Sequence, residues 1–185
     1  MRRLLAALTL TVALMGASSP TLAEPVFGPH WLEHMQATGV LLVQPDDFDF
    51  VAPVQNPVMA YDLALRHSSG RVEARWAVVP TAEGEVIDPT VYVTAVLANV
   101  AAEVGAPLQV FPTADVGRDY NANWGGLTVI KPKAGFADEY QVAIVVALYR
   151  EGKGMVYAFF LCKDLEADKP LMGSAFSALK FRDPQ

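Results

Sequence analysis

Cysteine is almost absent from this chain. Cys162 stands alone among 185 residues, so no intramolecular disulfide can form and stability has to come from packing. Its neighbours Phe159, Phe160 and Leu161 predict a buried, unreactive thiol. Long hydrophobic runs are missing as well. The apolar stretch at residues 4–15 covers about 12 residues, well short of the roughly 20 that a bilayer-spanning helix requires. Cationic excess is lacking too: 14 Lys and Arg face 20 Asp and Glu, a net charge of -6. Such an acidic chain is a poor partner for nucleic acid or anionic lipid. Nor is there a glycine-flanked serine elbow, or a glycine-rich turn opening a helix to cradle phosphate. His67 beside Ser68 and Ser69 is turn composition, and Asp46, Asp47 and Asp49 form a short solvated acidic segment.

What is present begins with an address. Arg2 and Arg3, the apolar stretch, and the small residues at 16–23 follow the order of a secretory signal peptide, with cleavage expected after Ala23. No cysteine adjoins that cut to carry a lipid. A mature protein of about 160 residues, periplasmic or secreted and not inserted in a membrane, is the expectation; losing Arg2 and Arg3 takes its net charge to about -8. Residues 24–47 read as an N-terminal arm carrying a short helix, and residues 48–185 as one α+β domain.

The helix at residues 31–38 is ended by Gly39. Alternation over residues 59–66 and 72–79, separated by His67, Ser68, Ser69 and Gly70, predicts a strand hairpin, with a short strand before it over residues 48–54. Asp88 and Pro89 form a helix entry. Val93, Leu97, Val100 and Val104 recur at helical spacing, which predicts a helix over residues 90–104 lying on a sheet. Further strands are expected over residues 127–131, 140–149 and 155–162. The last two are apolar on both faces, the mark of strands interior to a doubly covered sheet, and Glu151 to Gly154 turn one antiparallel onto the other. Met172, Ala175, Phe176 and Leu179 predict a closing helix entered through Asp168 and Pro170. Hairpins dominate, so the expected fold is an antiparallel β-sheet with α-helices packed on both sides.

Two patterns hint at chemistry. His30, Glu33 and His34 spell H-x-x-E-H, which on a helix could share a zinc ion and activate water. The motif lies close to the expected new N-terminus, without a third ligand on a partner helix. Asp119, Asn121 and Asn123 space oxygens like the start of a calcium loop, but Trp124 stands where glycine is needed and Ile130 where the closing glutamate belongs. Asn121 and Asn123 therefore read first as helix-capping or turn residues. The same segment is nonetheless the preferred ligand-binding candidate: Tyr120 and Trp124 supply flat apolar surfaces, flanked by Asp119, Asn121 and Asn123.

The asparagine-alanine-asparagine-tryptophan-glycine run at residues 121–125 precedes a hairpin with a Y-R-E-G-K-G-M core and a helix ending at Leu179, Lys180 and Phe181. Over residues 48–182 this combination resembles uncharacterised exported bacterial proteins of PsbP-like fold. The resemblance implies a sheet sandwiched by helices and a binding or accessory role, without shared catalytic residues or a cofactor. A non-enzymatic module that holds a small ligand or a partner protein is thus the leading expectation. A metal-dependent hydrolase built on His30, Glu33 and His34, or an envelope assembly subunit, is the alternative.

Overall fold

Two neighbouring strands with no polar face organise the molecule. In the computed structural model, which describes residues 27–182 apart from 83 and 138, β8 (Val142–Arg150) pairs antiparallel with β9 (Gly154–Cys162), and every residue of β9 is buried. The proposed signal residues 1–23 and the start of the arm lie outside the described residues.

Around that pair the remaining strands are β1 (Val40–Leu42), β2 (Phe48–Val51), β3 (Leu63–His67), β4 (Val72–Pro80), β5 (Ala101–Val104), β6 (Gln109–Val110), β7 (Trp124–Pro132) and β10 (Leu179–Phe181). The large sheet runs β2-β3-β4-β9-β8-β7-β5, with β6 also on β7, and all of its pairings are antiparallel. β1 and β10 form a separate antiparallel ribbon. The helices are α1 (Trp31–Thr38), α2 (Pro89–Val100), α3 (Thr113–Tyr120) and α4 (Leu165–Asp168), the last continued by a 3-10 segment at Lys169–Ser177. The class is α+β.

Alternation along β8 and β9 divides the core in two. Ile144, Val146, Leu148, Val156, Ala158 and Phe160 pack with Trp31 of α1, Val116 of α3, Met172 of the 3-10 segment and the β1–β10 ribbon. Ala143, Val145, Ala147, Tyr157, Phe159 and Leu161 pack on the other face with Val93 and Val100 of α2 and with Phe136 and Tyr140. Cys162 is fully buried, and burial, with Asp168 and Asp164 nearby, pushes its thiol up to about 11.

Several boundaries differ from the sequence expectation, among them the end of the strand expected over residues 48–54, which stops at Val51, and four that a partner elsewhere in the fold decides. The helix expected over residues 90–104 ends at Val100, because the outer edge of β7 offers the chain a strand partner. Ala101 turns extended and pairs with Pro132, Lys133 N–H donates to the Val100 carbonyl, and Val104 lies opposite Ile130. The strand expected over residues 59–66 starts only at Leu63, since the Asp62 carboxylate takes the Val78 N–H that a continuing backbone carbonyl would have accepted. The strand expected over residues 127–131 extends to Trp124–Pro132, its start tied by β6 and β8. The expected closing helix is mostly 3-10: Met172, Ala175 and Ala178 recur every third residue and are all buried, which is the 3-10 period. Leu179 then joins β10 instead of that helix.

The β8–β9 turn depends on glycine in two different ways. Gly152 (φ +68) would carry a Cβ into open space, whereas a Cβ on Gly154 (φ +136) would run into the Val79 carbonyl and meet Pro80. Gly154→Ala is expected to destabilise the protein by about 2–3 kcal/mol in urea unfolding, and Gly152→Ala by only about 1 kcal/mol. Equal costs at the two positions would show that the approach of β4 to the turn is not what demands glycine there.

Candidate functional site

The five candidate residues of the 119–124 segment do not converge, and its two aromatics lie on opposite faces of the sheet. Residue 120 ends α3, and Asn121 takes the left-handed conformation (φ +52) that closes the helix, its N–H returning to Gly117 and Val116. Its Nδ2 donates to the Arg182 carbonyl at 2.6 Å and to the Phe181 carbonyl at 3.3 Å, and so holds the end of β10. Asn123 Oδ1 accepts from Glu151 N–H at 2.9 Å and steadies the β8–β9 turn. Tyr120 is half-buried on the face of α1 and α3; burial, then Asp119, raises its hydroxyl pKa. Trp124 packs on the opposite face, paired with Tyr149 and lying over Gly126. Asp119 is exposed and bonded twice to Arg118, at 2.7 and 2.8 Å, which lowers its pKa. Asp119 and Tyr120 share a hollow of about 180 Å³ with Phe111, Pro112, Asp115 and Val116. The two aromatics therefore do not form one platform.

The H-x-x-E-H residues also point different ways. The rings of His30 and His34 stack at 5.7 Å on α1 and the turn before it, but His30 Nδ1 faces Glu33 at 3.5 Å while His34 Nδ1 bonds Asp62 at 3.0 Å. Glu33 is thus paired with a histidine, and the second histidine anchors α1 to the strand pair. Among the described residues, no group of three or more histidine, cysteine, aspartate or glutamate side chains is placed to hold a metal ion.

A more developed site lies elsewhere. Arg66 on β3 sits directly across from Glu73 on β4, and Arg75, two residues on, shares their face. Arg66 donates from Nε (3.1 Å) and Nη2 (2.6 Å) to Glu73 Oε2, and Arg75 Nε donates to Oε1 at 2.6 Å. Tyr140 hydroxyl adds a longer bond to Oε2, 3.4 Å. Glu73 is 3% exposed, Arg75 11% and Arg66 45%, so the carboxylate is buried while the second guanidinium reaches solvent. That pairing raises the pKa of Arg66. Arg75 is fixed further by donating from Nη1 to the Phe136 carbonyl, and its guanidinium lies 4.9 Å from the Tyr61 ring centre and 5.6 Å from that of Phe136.

Above this floor runs the segment 52–62. Asn56 hooks it down: Oδ1 accepts from Val58 and Met59 N–H, and Nδ2 donates to the carbonyls of Gly135 and Phe136. Tyr61 hydroxyl accepts from Val54 N–H at 2.9 Å and closes the loop on itself. The strap separates two clefts. One, about 470 Å³, is lined by Arg66, Arg75, Tyr61, Phe136, Glu139, Tyr140 and strap residues 54–57. The other, about 490 Å³, lies toward Pro29 and His30. Both volumes fall in the range of small-ligand sites.

Sequence reasoning missed this cluster because Glu73 and Arg75 alternate with Val72, Ala74 and Trp76, which reads as the wet face of a strand. Two opposite charges two residues apart, with a third across a predicted hairpin, were the available signal. No family model matches the chain, and no curated protein matches it. No helix among the described residues is long and apolar enough to cross a membrane.

Burial, with Glu73 beside it, pushes the Tyr140 hydroxyl up to about 12. The unfolded chain ionises first, near 10, so Tyr140 holds its contribution below about pH 10 and loses it as pH climbs through about 12. Tyr140→Phe is expected to flatten the fall of the urea midpoint between about pH 9.5 and 11.5. An identical slope in the variant would mean that Tyr140 is not held protonated by the fold.

Proposed function

We propose that this chain is an exported, non-enzymatic binding or accessory module of PsbP-like architecture, working in the periplasm or outside the cell. Its ligand seat is the cleft between the strap at 52–62 and the floor of β3 and β4. The observation that carries the reading is Arg75: a guanidinium set on a sheet floor, fixed by Glu73 and the Phe136 carbonyl and flanked by two aromatic rings, beneath a walled cleft of about 470 Å³. Polar groups that converge on one concavity beside apolar and aromatic surface are what small-molecule recognition requires. The lining offers hydrogen-bond donors and apolar surface, with neither serine, cysteine nor histidine among its side chains. Within the 119–124 segment, Asn121 and Asn123 serve the fold as helix cap, strand clasp and turn brace. The basic, apolar and small-residue order of positions 2–23 supports export, and the antiparallel sheet with helices packed on each face supports the PsbP-like comparison.

Expression of the full chain in a Gram-negative host should yield a periplasmic protein starting at Glu24. Native mass spectrometry of it should reveal a bound small molecule that Arg66→Gln diminishes. An unprocessed cytoplasmic product would refute the export half. A carried molecule indifferent to Arg66→Gln would refute the placement of the seat.

A further inference from the structure

We infer that the cleft over Arg66 and Arg75 takes a small monocarboxylate with an apolar body; this rests on the proposed binding role and specifies the chemistry of its ligand. Glu73 engages both guanidiniums but cannot neutralise both. Two cations against one carboxylate leave one positive charge on the floor, and exposed Glu139 at the rim is the opposing charge that an entering anion must pass. The engagement is also one-sided. Arg75 spends Nε on Glu73 and Nη1 on the Phe136 carbonyl, and among the described residues its Nη2 meets no acceptor. Arg66 spends Nε and Nη2 on Glu73, which leaves Nη1, on a half-exposed head. Both unspent groups belong to side chains that line the same cleft. A planar carboxylate is the natural complement to guanidinium donors.

The walls select the rest of the molecule. Val54, Pro57, Tyr61, Phe136 and Tyr140 present an apolar surface beside the donors, suited to an aryl or short alkyl body. Charge decides against other anions. A phosphate dianion would overfill a single positive charge, with Glu139 exposed at the same rim. A polyanion would approach a chain whose net charge is already -6.

Isothermal titration of the full processed protein near neutral pH, with benzoate, hexanoate, benzamide and inorganic phosphate, tests this directly. Benzoate or hexanoate should bind at least about tenfold more tightly than benzamide, which keeps the shape and loses the charge. Phosphate should not compete. Arg66→Gln should weaken the carboxylate by about tenfold or more with little change in Tm. Val54→Glu, on a strap residue that is 71% exposed, should weaken it equally by placing a like charge at the mouth without touching the core. Benzamide binding as well as benzoate would overturn the carboxylate while leaving the cleft as a ligand seat. Phosphate binding tighter than either acid would also overturn it. Failure of all four probes, joined with a carried molecule that ignores both substitutions, would remove the ligand class and the seat together.

Discussion

The whole arrangement follows from the pairing of β8 with β9, strands that bury apolar side chains on both faces. A sheet with two greasy faces cannot leave either in water. On one face the cover is complete: α1, α3, the 3-10 segment and the β1–β10 ribbon all press on the central strands, and the aromatic rings of Trp76, Phe160 and Phe176 meet there. On the other, α2 and the turn at 133–140 cover the middle, and the strap residues Val58, Met59 and Tyr61 carry the cover toward β3 and β4. Beneath the strap β4 carries buried Glu73 and Arg75 in place of hydrocarbon. The cleft lies between that floor and the strap.

Buried carboxylates do a second job across this acidic molecule. Asp62, Glu73 and Asp168 are each nearly or fully buried, and each is matched. Asp62 takes the Val78 N–H and His34; Glu73 takes Arg66 and Arg75; Asp168 forms an ion pair with Arg71 at 2.6 Å, and its Oδ2 accepts from the Asp164 N–H. Asp62 ties β4 to α1, Asp168 ties the β3–β4 turn to the segment after β9, and Glu73 joins β3 to β4 and is reached by Tyr140 of the cleft wall at 3.4 Å.

Legibility in the sequence followed the range of the forces. α1 came out at its observed bounds, and β8, β9 and β4 within two residues, because period-two alternation, turn glycines and caps act locally. Cys162 was legible as buried from three apolar neighbours. The end of α2, the start of β3 and the 3-10 segment were not, since each is decided by a partner far along the chain: β7 for Ala101, Val78 for Asp62, and the central sheet for Met172 and Ala175. The 119–124 segment shows the same limit differently. Its residue types suit a ligand loop, but the change from α3 to β7 rotates Tyr120 and Trp124 onto opposite faces, and nothing in the local spelling records that rotation. Asn121 and Asn123 were readable as cap and turn residues for the reason that such roles are local.

The charged floor bears on function through its cost. Removing a carboxylate and a guanidinium from water is expensive, and exchanging a buried pair for well-packed apolar side chains is often neutral or stabilising by about 1–4 kcal/mol. The surroundings here would accept such an exchange: Glu73 and Arg75 lie beside Leu161 and Phe159 in register, on a face otherwise filled by Ala64, Ala77 and Phe136. Stability alone therefore gives little reason to keep three charges at this place. A fixed guanidinium with an unspent donor beneath a cleft does give one. The strap is held over it by Asn56 and Tyr61, both of which spend their polar groups on the backbone, so the wall stands before any ligand arrives. Preorganisation of this kind lowers the ordering cost of binding, which is what the proposed seat would need from its wall and floor.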